Sequence, residues 1–144
     1  MAVKSEKFVL FMIEQKLWAL PLLPGTQFID GGNITPIPKV NINIVGLIYN
    51  KGRIVTVLNT FKILQKVFPK NKIKESQEDK QCLLFDFQND TYALLATKGG
   101  ETVTVKGVLT DKSQVYFKKY IKVGQNKVYI LYPEEIWKIV DIYD

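Results

Sequence analysis

The chain contains no histidine. That absence removes the usual general base, the side chain that titrates near neutral pH and the commonest metal ligand. Cysteine occurs once, as Cys82. A single cysteine makes no internal disulfide and no thiolate metal cage. Within Cys82-Leu83-Leu84-Phe85 it reads as a small buried hydrophobe. Arginine is as scarce: of 20 basic residues only Arg53 is arginine. Lysine is a hydrated point charge without the planar fork that reads phosphates and base edges. The net charge of +6 therefore reads first as a lysine-rich solvated surface and only second as a nucleic-acid footprint. Long apolar runs are missing too. Charge interrupts the opening MAVKSEKFVLFMIEQK too early for a signal peptide. No stretch approaches the roughly 20 apolar residues that span a membrane. These absences predict a cytoplasmic protein with no direct membrane insertion, no catalytic residues, no cofactor and no metal.

What is present favours strands. At 144 residues and 47% hydrophobic, the chain can fill a core, and its valine, isoleucine, phenylalanine and tyrosine suit a pleated sheet. The segment from Ile34 to Leu64 organises the rest. It has a proline-stiffened entry at Thr35-Pro36-Ile37-Pro38 and an ambiguous stretch, Asn41 to Val45. Gly46 to Tyr49 then enters a tight turn at Asn50-Lys51-Gly52, where Gly52 supplies a positive φ. Arg53 to Leu58 returns as a strand. Asn59 or Thr60 caps a short helix carrying Phe61, Ile63, Leu64, Val67 and Phe68, which Pro69 stops.

Two apolar runs, Phe8–Ile13 and Leu17–Leu22, flank Glu14-Gln15-Lys16 and predict a hairpin, ended by Pro24-Gly25. Thr26 to Asp30 could be a further short strand. The charged segment Lys70 to Lys80 predicts a surface loop, and after it the pattern restarts. Leu84 to Leu94 aligns with Leu10 to Leu20, and Val128 to Leu131 aligns with Val55 to Leu58 at nearly the same spacing. A helix from Pro133 to Val140 follows the second pair, with Glu134 and Glu135 at its positive end. This order argues for internal duplication. It predicts one domain over 1–144, with halves near 8–69 and 80–140 joined by loop 70–80 and chain ends that can cross between them. Trp18 and Tyr92, at equivalent positions, read as core aromatics. Lys118-Lys119 reads as a solvated strand edge.

With these motifs placed, the chain resembles the CheW-like family of bacterial chemotaxis adaptors from Phe8 to about Val140. FVLFMIEQKLWALPL is similar to the family's opening hairpin. Ile34 to Leu64 is similar to its central stretch, where an Asn-Leu-Arg-Gly turn stands in place of Tyr49-Asn50-Lys51-Gly52. Leu83 to Val105 and Ile130-Leu131-Tyr132-Pro133-Glu134-Glu135-Ile136 are similar to its second-half and terminal patterns. The departures fall on polar positions: Asn59, Thr97 and Tyr132 replace family aspartates, and Thr26-Gln27-Phe28-Ile29 replaces Val-x-Glu-[IV]. The resemblance implies a mostly β fold of two SH3-like barrel subdomains related by a pseudo-repeat, with short helices.

It also implies partners: the regulatory domain of a CheA-type histidine kinase and the cytoplasmic tips of chemoreceptors. Carried over by position, Lys51, with Gly52 beside it, takes the role of the family arginine near the receptor groove. Thr26, Phe28, Gln81 and Gly99 fall on or beside partner-contact positions. An enzyme is disfavoured by the residues themselves. Asp30, Asp86, Asp90 and Asp111 are scattered, and Gly99-Gly100 lacks the lysine, hydroxyl residue and helix of a phosphate loop. Two alternatives to chemotaxis remain: an adaptor of another motility or signalling pathway, and a basic small barrel that binds nucleic acid. No nucleic acid is expected on the adaptor reading.

Overall fold

The computed structural model describes residues 5–31, 34–37, 43–69 and 80–142, with residues 141 and 142 described by backbone alone. β1 (Glu6–Ile13) and β2 (Lys16–Pro21) form the opening hairpin. Ile13 pairs with Lys16, so the turn is the two residues Glu14-Gln15, and Lys16 belongs to the strand rather than to the break. β3 (Gln27–Asp30) and β4 (Thr35–Pro36) are short. β5 (Ile44–Asn50) and β6 (Arg53–Leu58) make a second hairpin, so the ambiguous stretch becomes strand from Ile44 onward. Asn41 and Pro38 lie outside the described residues, as do residues 70–79 of the expected loop at 70–80.

α1 (Thr60–Val67) starts where the Asn59 side chain accepts from the Lys62 N–H, a local reason for the helix to begin there. β7 (Gln81–Phe87), β8 (Asp90–Ala96) and β9 (Lys98–Val105) follow. β10 (Leu109–Thr110), β11 (Lys119–Val123), β12 (Asn126–Tyr129) and α2 (Pro133–Ile142) complete the chain. The molecule is mostly β with two short helices.

Residues aligned between the two sequence halves pair alike in strand register. Phe11 sits opposite Trp18 as Phe85 sits opposite Tyr92, and Ile48 sits opposite Val55 as Ile121 sits opposite Val128. The sheets, however, are not divided as the sequence halves are. One six-stranded sheet runs β3-β7-β8-β6-β5-β4. The other set runs β9-β1-β2 and continues, through a parallel bridge between Ala19 and Ile130, into β12-β11-β10. Each set therefore holds one hairpin from each half. β3 and β9 take equivalent outer places, each bonded to the opening hairpin of the other half.

Lys119 departs from the sequence expectation of an edge. β11 has β10 on one side and β12 on the other, and the Lys119 ammonium donates to the Thr110 hydroxyl at 2.9 Å.

Packing explains the unbroken apolar run of β1. Phe8 and Leu10 face a small cluster with Ala19, Ile121, Val128 and Ile130, while Val9, Phe11 and Ile13 face the main core. A strand buried on both faces has no polar alternation. Trp18 is fully buried, whereas Tyr92 is half-buried and meets Trp137 edge-on at 4.9 Å.

Cys82 is fully buried on β7, and burial, reinforced by the Asp30 carboxylate, pushes its thiol up to about 11. The thiolate is the reactive form. Ellman's reagent is therefore expected to leave the folded protein unlabelled at mildly alkaline pH. Unfolding in concentrated guanidinium chloride releases one thiol equivalent. Rapid labelling of the folded chain would contradict this burial.

Candidate interaction surface

The β5–β6 turn is made by Lys51 and Gly52, between the paired residues Asn50 and Arg53. Both turn residues have positive φ, 50° and 80°, as a two-residue primed turn requires. Lys51 is exposed at the tip. It overlooks a shallow groove of about 190 Å³ whose lining includes Gly25, Gln27, Lys51, Arg53, Asp86 and Thr91.

The polar floor of that groove is organised. Thr91 donates its hydroxyl to Asp86 Oδ1 at 2.8 Å, and Arg53 Nη1 donates to Thr91 Oγ1 at 3.2 Å. The same guanidinium nitrogen lies 3.9 Å from Asp86 Oδ1. The pair is largely exposed, so its weight is in orienting Arg53 rather than in stability. Gly25 has φ of 81°, and a Cβ there would lie 2.5 Å from Asp86 Oδ2. The positive φ favours glycine here, and a larger residue would also displace the Asp86 carboxylate from its place in the floor. Sequence reasoning did not single out Arg53, Asp86 or Thr91. The available signal was the lone arginine directly after the turn.

Thr26 lies in the chain between Gly25 and Gln27 of this groove and closes a turn. Its hydroxyl accepts from the Leu23 N–H at 3.1 Å, and its own N–H donates to the Leu23 carbonyl. At the other end of the β3–β7 pair, three of the positions taken from the resemblance come together. The Gly99 N–H donates to Gln81 Oε1 at 2.8 Å. A Cβ on Gly99 would stand 3.1 Å from the Phe28 ring. Phe28, Gln81 and Gly99 sit on β3, β7 and β9, where the two strand sets meet. The six residues thus divide into a hairpin-tip group around Lys51 and Gly52, a junction group of Phe28, Gln81 and Gly99, and Thr26 in its turn.

A third polar feature lies on the other strand set. The Lys16 ammonium stands over the rings of Trp18, Tyr129 and Phe68 at 4.8, 5.3 and 5.6 Å. Burial lowers its pKa, and the ring faces offset part of that desolvation. Nearby, the Tyr129 hydroxyl donates to Asp111 Oδ2 at 2.6 Å, and Ser113 donates to Asp111 Oδ1 from both its N–H and its hydroxyl. Hydrogen bonds from Ser113 and Tyr129 hold the Asp111 carboxyl down at about 2. Burial first, and then the Asp111 bond, push the Tyr129 phenol up to about 12.

Because its folded pKa is raised, Tyr129 stabilises the fold fully below the ordinary phenol value of about 10 and loses that contribution as pH rises through 12. Absorbance titration should show one tyrosine ionising near 12. Asp111→Asn should bring that step part of the way back toward 10, since burial remains. An unchanged step would remove Asp111 as a cause.

Among the described residues, no three of His, Cys, Asp and Glu cluster as metal ligands would. No helix among them is long and apolar enough to cross a membrane. The arrangement offers fixed donors, carboxylates and apolar faces for contact with another molecule.

No family model matches the sequence. A chemotaxis protein CheW of Thermotoga maritima is 33% identical over 73 residues, which cover 51% of this chain and 48% of that protein. The matched region thus spans about half of that relative's length. The crystal structure of the scaffolding protein TtCheW from Thermoanaerobacter tengcongensis superposes with a TM-score of 0.70 at 18% identity, over 88% of each chain. The superposition gives the chain the fold of that CheW scaffolding protein, and the partial sequence match to a CheW protein agrees with it.

Proposed function

We infer that the chain is a non-enzymatic adaptor of chemotaxis-type signalling. It couples chemoreceptor tips to the regulatory domain of a CheA-type kinase from the cytoplasm, where those partners recruit it to receptor arrays. On this reading the two strand sets are SH3-like barrels that serve as rigid platforms. Lys51 and Gly52 at the hairpin tip, and Phe28, Gln81 and Gly99 at the junction, meet the partners, with Thr26 holding the turn between Leu23 and β3. The observation that carries the reading is the likeness to CheW proteins in fold and in part of the sequence.

Calorimetric titration against a CheA-type regulatory domain and against a receptor-tip fragment tests it. Binding to at least one is expected, weakened about tenfold by Lys51→Glu, which reverses a charge at the tip. Titration with a single-stranded oligonucleotide at low salt should give no heat. Absence of binding to both proteins, or binding indifferent to Lys51→Glu, would count against the assignment.

A further inference from the structure

The lysines are not spread evenly. Between Lys106 and Lys127 stand six lysines and one acid, Asp111, in a chain whose whole net charge is +6. Strand register gathers two of them beside Lys16. Lys122 pairs directly with Lys127 across β11 and β12. Ala19 bridges Ile130 in parallel, so three residues back along both segments Lys16 stands beside Lys127. Lys16 and Lys127 also line one shallow cavity of about 350 Å³, whose described lining carries no carboxylate. Lysines side by side repel, and among the described residues none of the three makes an ion pair. The fold does not require the row: the aligned places in the other half of the sequence hold Asp90, Ile54 and Tyr49.

Solvation separates Lys16 from its neighbours. Lys122 and Lys127 are exposed, whereas Lys16 is half-buried with its ammonium over Trp18, Tyr129 and Phe68. Burial lowers its pKa, and a neighbouring cation acts in the same direction. Desolvation beside another cation is one way a protein makes a lysine amine nucleophilic. The rings fix the position of Nζ, and a second cavity, of about 440 Å³, reaches Lys16 from the side of Ser113 and Gln114. We propose that Lys16 is a site of Nε-acylation by acyl phosphates. The lone pair of the neutral amine attacks the carbonyl carbon, and the C–O bond to phosphate breaks. The amine proton leaves with the phosphate, which departs as hydrogen phosphate, and an amide remains. Lys127, on the same cavity, holds the phosphate as a point charge. The product removes one of three like charges from the row. This goes beyond the adaptor reading and does not rest on it.

The test incubates the purified chain briefly with acetyl phosphate and reads the acetylation rate of each lysine by quantitative peptide mass spectrometry. Lys16 is expected to react about tenfold faster than Lys62 and Lys138, which are exposed lysines on α1 and α2. Lys127→Gln should slow Lys16 about fivefold with acetyl phosphate. It should slow it much less with an uncharged donor, N-hydroxysuccinimidyl acetate. A melting curve checks that the variant is folded. Lys16 reacting no faster than Lys62 and Lys138 overturns the proposal. A rate advantage confined to the uncharged donor overturns acyl phosphate as the donor class. Equal slowing with both donors, or none with either, overturns the part given to Lys127 and leaves the acylation site standing.

Discussion

Trp18→Ala is expected to lower unfolding free energy by about 4 kcal/mol, within the range for truncating large aromatics in a core. That is a large share of the roughly 5–15 kcal/mol typical of a domain. Trp18 is fully buried, and its ring stands 5.3 Å from Phe68 and 6.3 Å from Tyr129. Through Phe68 it meets the C-terminal end of α1, and through Tyr129 the end of β12. Removing it leaves a cavity at this meeting point and takes the nearest ring from under Lys16, worth about a further 0.5–1 kcal/mol. Urea unfolding should show a lower midpoint with an unchanged slope, and melting should fall on the order of 10 °C. Trp18→Phe should cost far less, about 1.5 kcal/mol. It keeps a ring and removes an indole N–H that is buried with no hydrogen-bond partner among the described residues, itself a cost in the parent. Equal losses for the two variants would mean that the ring packing is not what stabilises this region.

Gly46→Ala is expected to cost about 3 kcal/mol, at the upper end for overpacking. Gly46 is buried on β5, opposite Pro36, beside a register shift between Ile44 and Gly46. A Cβ there would fall against the Thr35 carbonyl oxygen, with the Thr35 carbonyl carbon at 2.9 Å. Backbone cannot rotate out of the way as a side-chain end can. β4 must therefore give up its two pairings, Thr35 with Leu47 and Pro36 with Gly46. Amide exchange at Leu47 should accelerate beyond the global change, while exchange in β1 follows global stability alone. Wild-type stability in Gly46→Ala would show that β4 does not press on β5.

The sequence disclosed what is local. The Asn50-Lys51-Gly52 turn, the helix cap (Asn59, one of the two candidates) and the Pro133 helix start each depend on residues within one turn of each other, and each stands where the pattern put it. The opening hairpin was legible, although read with a three-residue turn: Lys16 looks like a turn residue by polarity, but pairing with Ile13 makes it strand. β9 went undetected as a long strand because an outer strand with mostly exposed residues needs little hydrophobicity. The exchange of β3 and β9 between the strand sets was open to no local rule, since it is decided by which long-range pairing buries the most. For the same reason the link of Arg53 with Asp86 and Thr91, and the three rings under Lys16, join residues whose separate neighbourhoods look ordinary. Phe28, Gln81 and Gly99 were named from family resemblance alone; their shared place at the junction is a fact of packing.

The exchanged strands bear on how the protein is made. Phe8 pairs with Val103, and Phe28 with Leu83. During synthesis the opening hairpin emerges on the order of ten seconds before the strand that flanks it, at ordinary elongation rates. Through that interval β1 has a bare edge, and the face carrying Phe8 and Leu10 lacks Ile121, Val128 and Ile130. Long-range pairing of this kind folds slowly. The nascent chain is thus expected to engage ribosome-associated holdases, and its yield in a heterologous host should depend more on translation speed and chaperone supply than on the stability of the finished fold.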